Sequence, residues 1–125
     1  MRVLTVDDSG TMRKIIARAL KEIGIEEVGE AGDGLEALKA LEAGPYDLML
    51  LDWNMPNMTG IEVVQKVRAD GGTIPIIMVT TEAEKRRIIE ALKCGANNYV
   101  VKPFTPEILT TKVKETLAKA GKQIG

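Results

Sequence analysis

The chain has 125 residues, of which 45% are hydrophobic, 28% charged and 3% aromatic, and its formal net charge is −1. That length fits one domain spanning 1–125, which can take roughly two-thirds of its unfolded surface out of water. Cys94 is the only cysteine and histidine is absent. This excludes an intrachain disulfide, histidine bases, histidine metal ligands and histidine triads, and suits a reducing, cytoplasmic setting.

No apolar run approaches membrane-spanning length, and no basic stretch leads into an apolar segment at the start. Neither membrane insertion nor a signal peptide is expected. Charge is uneven: residues 1–80 carry 8 Lys+Arg against 13 Asp+Glu, and residues 81–125 carry 9 against 5, giving −5 and +4. Solvated helix faces explain such a split, as would a docking surface for an acidic protein. Nucleic acid is not expected as a partner. Glu82, Glu84, Glu90, Glu107 and Glu115 interrupt the basic residues, and no aromatic ladder is present to stack on bases.

In chain order, Arg2 to Val6 predicts a strand ending at Asp7-Asp8. A helix follows from about Thr11, with Met12, Ile15, Ile16, Ala19, Leu20 and Ile23 at helical spacing, stopped by Gly24. Glu26 to Ala31 is a short, more polar strand, as an edge strand would be. Leu35, Leu38 and Leu41 mark a second helix closed by Gly44-Pro45. Leu48 to Leu51 is wholly apolar, as in the centre of a parallel sheet, and ends at Asp52.

Gly60 to Ala69 predicts a third helix on Ile61, Val64 and Val67. Ile76 to Val79 is a strand ending at Thr80, and Glu82 to Cys94 a helix stopped by Gly95. Tyr99 to Val101 is a strand ending at Lys102. Thr105-Pro106-Glu107 starts the last helix with a capping hydroxyl, a first-turn proline and an acid near the positive end of the dipole. That helix runs to about Ala120, and Gly121 to Gly125 should fray.

Strands alternating with helices predict a doubly wound α/β fold. Ligands in such folds bind beyond the carboxyl ends of the strands. Asp7-Asp8, Asp52, Thr80 and Lys102 each end a different strand, so all should open onto one rim. Alone, either acid of the pair reads as a helix cap, and Lys102 as a surface charge. Together they suit phosphoryl chemistry with a divalent cation. Crowded carboxylates repel until a hard cation such as Mg²⁺ offsets them, a carboxylate can be a nucleophile, and an ammonium can pair with phosphate oxygens.

The motifs Val6-Asp7-Asp8, Leu51-Asp52-Trp53-Asn54-Met55-Pro56, Met78-Val79-Thr80 and Tyr99-Val100-Val101-Lys102-Pro103-Phe104 resemble those of receiver domains of two-component signalling, in particular single-domain chemotaxis response regulators of the CheY type. The resemblance runs from Arg2 through the last helix. It implies a flavodoxin-like sheet of five parallel strands in the order 2-1-3-4-5 with five helices. It implies Asp52 as phosphoacceptor from a histidine kinase, and Mg²⁺ held by Asp8, Asp52 and the Asn54 backbone carbonyl, with Asp7 acting through a bound water.

It further implies that Lys102 contacts the phosphoryl group, with a cis bond to Pro103, and that Thr80 and Tyr99 move together on activation. Asn54 and Glu82 would tune dephosphorylation. Lys85, Ile88, Tyr99, Phe104 and Lys112 would meet partners such as the flagellar motor switch protein, a phosphatase also acting on the monomeric protein. It is identified as a regulator rather than an enzyme turning over free substrates. Ser9-Gly10, Thr81 and Glu115 depart from the usual pattern without touching the acids. Two other readings share the fold or the chemistry. An aspartate-nucleophile phosphatase would carry Asp-x-Asp rather than adjacent acids, and a flavin carrier would not place two acids where the flavin phosphate binds.

Overall fold

A computed structural model describes residues 1–81 and 86–124. The elements are β1 (Arg2–Val6), α1 (Gly10–Glu22), β2 (Glu27–Ala31), α2 (Gly34–Ala43), β3 (Leu48–Asp52), α3 (Gly60–Ala69), β4 (Ile76–Thr81), α4 (Ile88–Cys94), β5 (Asn98–Lys102) and α5 (Pro106–Lys119). The five strands form one parallel sheet in the order β2-β1-β3-β4-β5. The polar strand is an edge, and β3, buried at every position, is central.

Strand alternation divides the core in two. Leu4, Val6, Met49, Leu51, Ile76 and Met78 face one cluster, built with side chains of α2, α3 and α4. Val3, Leu48, Leu50, Ile77 and Val79 face the other, with Ile16 and Leu20 of α1 and Leu109, Val113 and Leu117 of α5. Because both faces are covered, the inner strands read as continuous apolar runs rather than alternating ones.

The helix starts follow from side-chain capping. Ser9, Asp33, Thr59 and Thr105 each accept a bond from the backbone N–H three residues on, and Thr59 with Glu62 forms a capping box. Gly24 and Gly95 end their helices with positive φ.

Several boundaries differ from the sequence reading. β4 and β5 each run further toward the rim, because Thr80 pairs with Val101 and Thr81 with Lys102. That ladder is set by a neighbouring strand, not by local apolarity. The expected α4 start at Glu82 lies outside the described residues, and the described helix begins at Ile88. The tail was expected to fray, but residues 121–124 are tied down. Lys122 donates its backbone N–H to Leu117 and its ammonium to Asp47, and Ile124 packs on the α1–α5 core.

Candidate functional site

Register builds the site. In β1 and β3, Val6 lies opposite Leu51, so Asp7 and Asp52 follow at the same level of two adjacent parallel strands. Asp52 lies opposite Val79, one residue before Thr80, and Lys102 opposite Thr81. Carboxylate oxygens of Asp7, Asp8 and Asp52 lie within 4.8 Å of one another. Asp7 and Asp52 are buried and Asp8 is exposed.

The Lys102 ammonium spans the two buried acids, donating to Asp7 Oδ2 at 3.0 Å and Asp52 Oδ1 at 3.2 Å. Burial alone would lower the Lys102 pKa; the hydrogen bond to Asp7 and the charges of Asp52 and Asp7 outweigh it and raise it. Asp52 goes the other way. Desolvation raises its pKa from 3.8 to about 6, against the pull of Lys102, and the charge of Asp7 adds to the rise. One ammonium therefore does not neutralise this cluster, so a further cation has a reason to bind. Three carboxylates are hard oxygen donors, and they fit Mg²⁺.

Neither member of the acid pair caps α1. That task falls to Ser9, whose hydroxyl accepts from Met12 N–H at 3.1 Å, while its own N–H donates to Asp7 Oδ1 at 2.8 Å. Both acids are thus left for the rim. Thr80 is fully buried, and its hydroxyl donates to the Thr81 carbonyl at 3.3 Å. Asn54 is exposed on the loop after β3. Gly60 closes that loop by donating to the Trp53 carbonyl at 2.9 Å; a Cβ there would stand 2.5 Å from the Asp52 carbonyl, which only glycine avoids. The Lys102–Pro103 bond is cis.

The expected partner-facing residues divide. Tyr99 is half-buried with the Lys112 ammonium 5.1 Å from its ring centroid, and Phe104 packs partly on the core. Ile88 does not face outward: at 6% exposure it belongs to the core, because α4 turns that side to the sheet. The apolar residues α4 presents to solvent are Ile89 and Leu92. Glu82 and Lys85 lie outside the described residues. Thr81 and Glu115 are both exposed. Trp53, beside Asp52, is wholly buried, with the Arg87 guanidinium 4.8 Å from its ring centroid.

Two supporting residues escaped the sequence reading. Besides Ser9, whose position just before α1 was a usable signal, Arg13 donates to the Asp7 carbonyl at 2.6 Å and to Glu30 at 2.8 Å. It thereby ties the ends of β1 and β2 to α1, a contact with no local signature. A groove of about 200 Å³ lined by Leu38, Leu41, Val67 and Asp70 lies between α2 and α3, away from the acids.

Residues 3–114 match the family model of the response regulator receiver domain. The chain belongs to the receiver family. This receiver is 52% identical over 120 residues to chemotaxis protein CheY1 of Helicobacter pylori, covering 94% of this chain and 97% of that one. It is 47% identical over 117 residues to chemotaxis protein CheY of Pseudomonas aeruginosa, covering 92% and 94%. The solved structure of chemotaxis response regulator CheY4 of Vibrio cholerae superposes with a TM-score of 0.86 at 39% identity, covering 93% and 98%. The receiver is therefore a two-component response regulator of the CheY type, related to chemotaxis. Receivers of this type are regulators rather than enzymes, and bind Mg²⁺ at an acidic pocket of the kind that Asp7, Asp8 and Asp52 form. Among the described residues no helix is long and apolar enough to cross a membrane.

Proposed function

We propose that this receiver takes a phosphoryl group onto Asp52 from a phosphohistidine of a partner kinase, and then changes its affinity for a protein partner, the flagellar motor switch. The observation that carries this reading is the Lys102 ammonium bridging Asp7 and Asp52 beside Asp8. With no histidine among these 125 residues, the phosphohistidine lies outside them.

In the transfer, a carboxylate oxygen of Asp52 forms the new O–P bond as the N–P bond of the donor breaks, and the leaving imidazole takes a proton from solvent. Asp7, Asp8, Asp52 and the Asn54 carbonyl are the residues that would hold Mg²⁺. When bound, the cation offsets charge building on the phosphoryl oxygens. Lys102 pairs with one of those oxygens, and the Thr80 hydroxyl donates to another. Thr80 and Tyr99, on adjacent strands, then carry the change toward Lys112 and the outer face of α4. Asn54 and Glu82 set how long the phosphate lasts. We read residues 1–125 as one receiver unit acting in the cytoplasm as a monomer. Near end-to-end matches to the two chemotaxis relatives support the reading as one unit.

The test is incubation with acetyl phosphate and Mg²⁺. Wild type should gain an acid-stable, base-labile phosphate, Asp52→Asn should gain none, and chelation of the metal should abolish it. Equal labelling of Asp52→Asn would remove Asp52 from its role. Sustained turnover of a small phosphate ester would favour an enzyme instead.

A further inference from the structure

The loop between β3 and α3 carries Asn54, yet its far end is bent at Asn57, whose φ is +70°; this is the one non-glycine positive φ among the described residues. An asparagine tolerates that conformation at some cost, which its surroundings must hold in place. Its Nδ2 donates to Asp33 Oδ2 at 2.9 Å. Asp33 is already engaged, because its other oxygen caps α2 by accepting from Glu36 N–H at 2.8 Å. Both bonds favour the carboxylate; the Glu36 N–H and then the Asn57 amide hold the Asp33 pKa below its usual value.

Packing repeats the same connection. Gly34, first residue of α2, sits so close to this loop that a Cβ would be 2.8 Å from Met58 and 2.7 Å from Val63. The neck of the loop is closed by the bond from Gly60 to Trp53. The segment between Trp53 and Gly60 is thus held at its neck by the Gly60–Trp53 bond and at Asn57 by the cap of α2.

We infer that Asp33 and Asn57 form a clamp that positions the Asn54 carbonyl for the cation, so that α2, which supplies no ligand, sets part of the Mg²⁺ affinity. This rests on the metal site proposed above. Asp33 and Asn57 are positioning residues: neither reaches the acids, and their effect passes through the loop backbone. A backbone carbonyl cannot rotate about a side-chain bond to meet a cation. Its direction is fixed by the φ and ψ of the loop, which is what the clamp holds.

The experiment is calorimetric titration of the full chain with Mg²⁺ alone. Asn57→Gly keeps the positive φ available and removes the amide. Asp33→Ser keeps a capping oxygen on α2 but is too short to reach Asn57. Each should weaken Mg²⁺ binding about tenfold, the low end of what losing an outer partner of a metal ligand costs. The double variant should be no weaker than either alone, since both remove one bond. Labelling by acetyl phosphate should return to the wild-type rate at saturating Mg²⁺.

Affinities within twofold of wild type for both single variants would overturn the clamp, as would an additive double variant. Asp8→Asn separates this from failure of the underlying reading. If wild type binds Mg²⁺ no better than Asp8→Asn, the metal site itself is wrong and the clamp falls with it.

Discussion

Asp52 is held at a compromise. Its burial beside Asp7 favours the protonated form, while Lys102 favours the ionised one, and the balance leaves a pKa of about 6. In the unfolded chain the ordinary value of 3.8 returns. The folded state therefore binds this proton more tightly than the unfolded one, and the stabilisation is fully present below pH 3.8 and lost as pH rises through about 6. Above that, ionised Asp52 opposes folding. Asp52→Asn, neutral at every pH, should be more stable than wild type at pH 8 without metal, by about 1–2 kcal/mol once screening by nearby solvent is allowed for. The gain should vanish below about pH 4. Urea unfolding at the two pH values measures it, and a variant no more stable at pH 8 would mean that Lys102 neutralises the site fully. The proposed phosphoacceptor is thus a carboxylate that folding tolerates rather than one that holds the fold.

At the scale of elements, β1 carries an unmet polar group. Thr5 is fully buried between β2 and β3, and its hydroxyl has no hydrogen-bond partner among the described residues. A hydroxyl buried without a partner loses its water and gains nothing in return. Thr5→Val keeps the branched shape and removes the oxygen. It should stabilise the protein by about 1 kcal/mol in urea unfolding while leaving Mg²⁺ affinity unchanged. A loss of stability would show that the hydroxyl has a partner, such as an ordered water. α4 teaches the opposite lesson about faces. Ile88 and Ile89 are adjacent and chemically identical, yet Ile88 is 6% and Ile89 66% exposed. Helical rotation of about 100° per residue separates core from surface, and the choice of side depends on where the helix lies on the sheet.

Across the whole molecule, the acids at the strand ends and Tyr99 belong to one sheet, with Thr80 and Tyr99 on its last two strands, and the Lys112 ammonium of α5 lies 5.1 Å from the Tyr99 ring centroid. The activated form should be one of two packings, selected by contacts available only with phosphate present. A pull-down comparing beryllofluoride-treated with untreated protein should capture the motor switch protein preferentially from the treated sample. Ile89→Ala should weaken that capture about fivefold or more, as an exposed apolar anchor would, whereas equal capture with and without beryllofluoride would argue against switching.

The strand–helix alternation, the apolar central strand, the caps at Thr105 and Gly24 and the acids at strand ends were all legible in the linear chain. Each depends on residues within a few positions of one another, where periodicity and backbone preference act directly. The convergence of Asp7, Asp52 and Lys102 could be anticipated too, because parallel strands must present their carboxyl ends on the same side. Other features needed the folded chain. Lys102 lies 95 residues from Asp7 along the chain, and which oxygen it meets is decided by register between strands that are not consecutive. The burial of Ile88 and Trp53, the anchoring of the tail through Lys122 and Asp47, and the bond from Asn57 to Asp33 likewise join distant segments. Short-range chemistry determines what each segment is; only packing determines which segments touch, and here that packing sets both the pKa of Asp52 and the shape of the loop beside it.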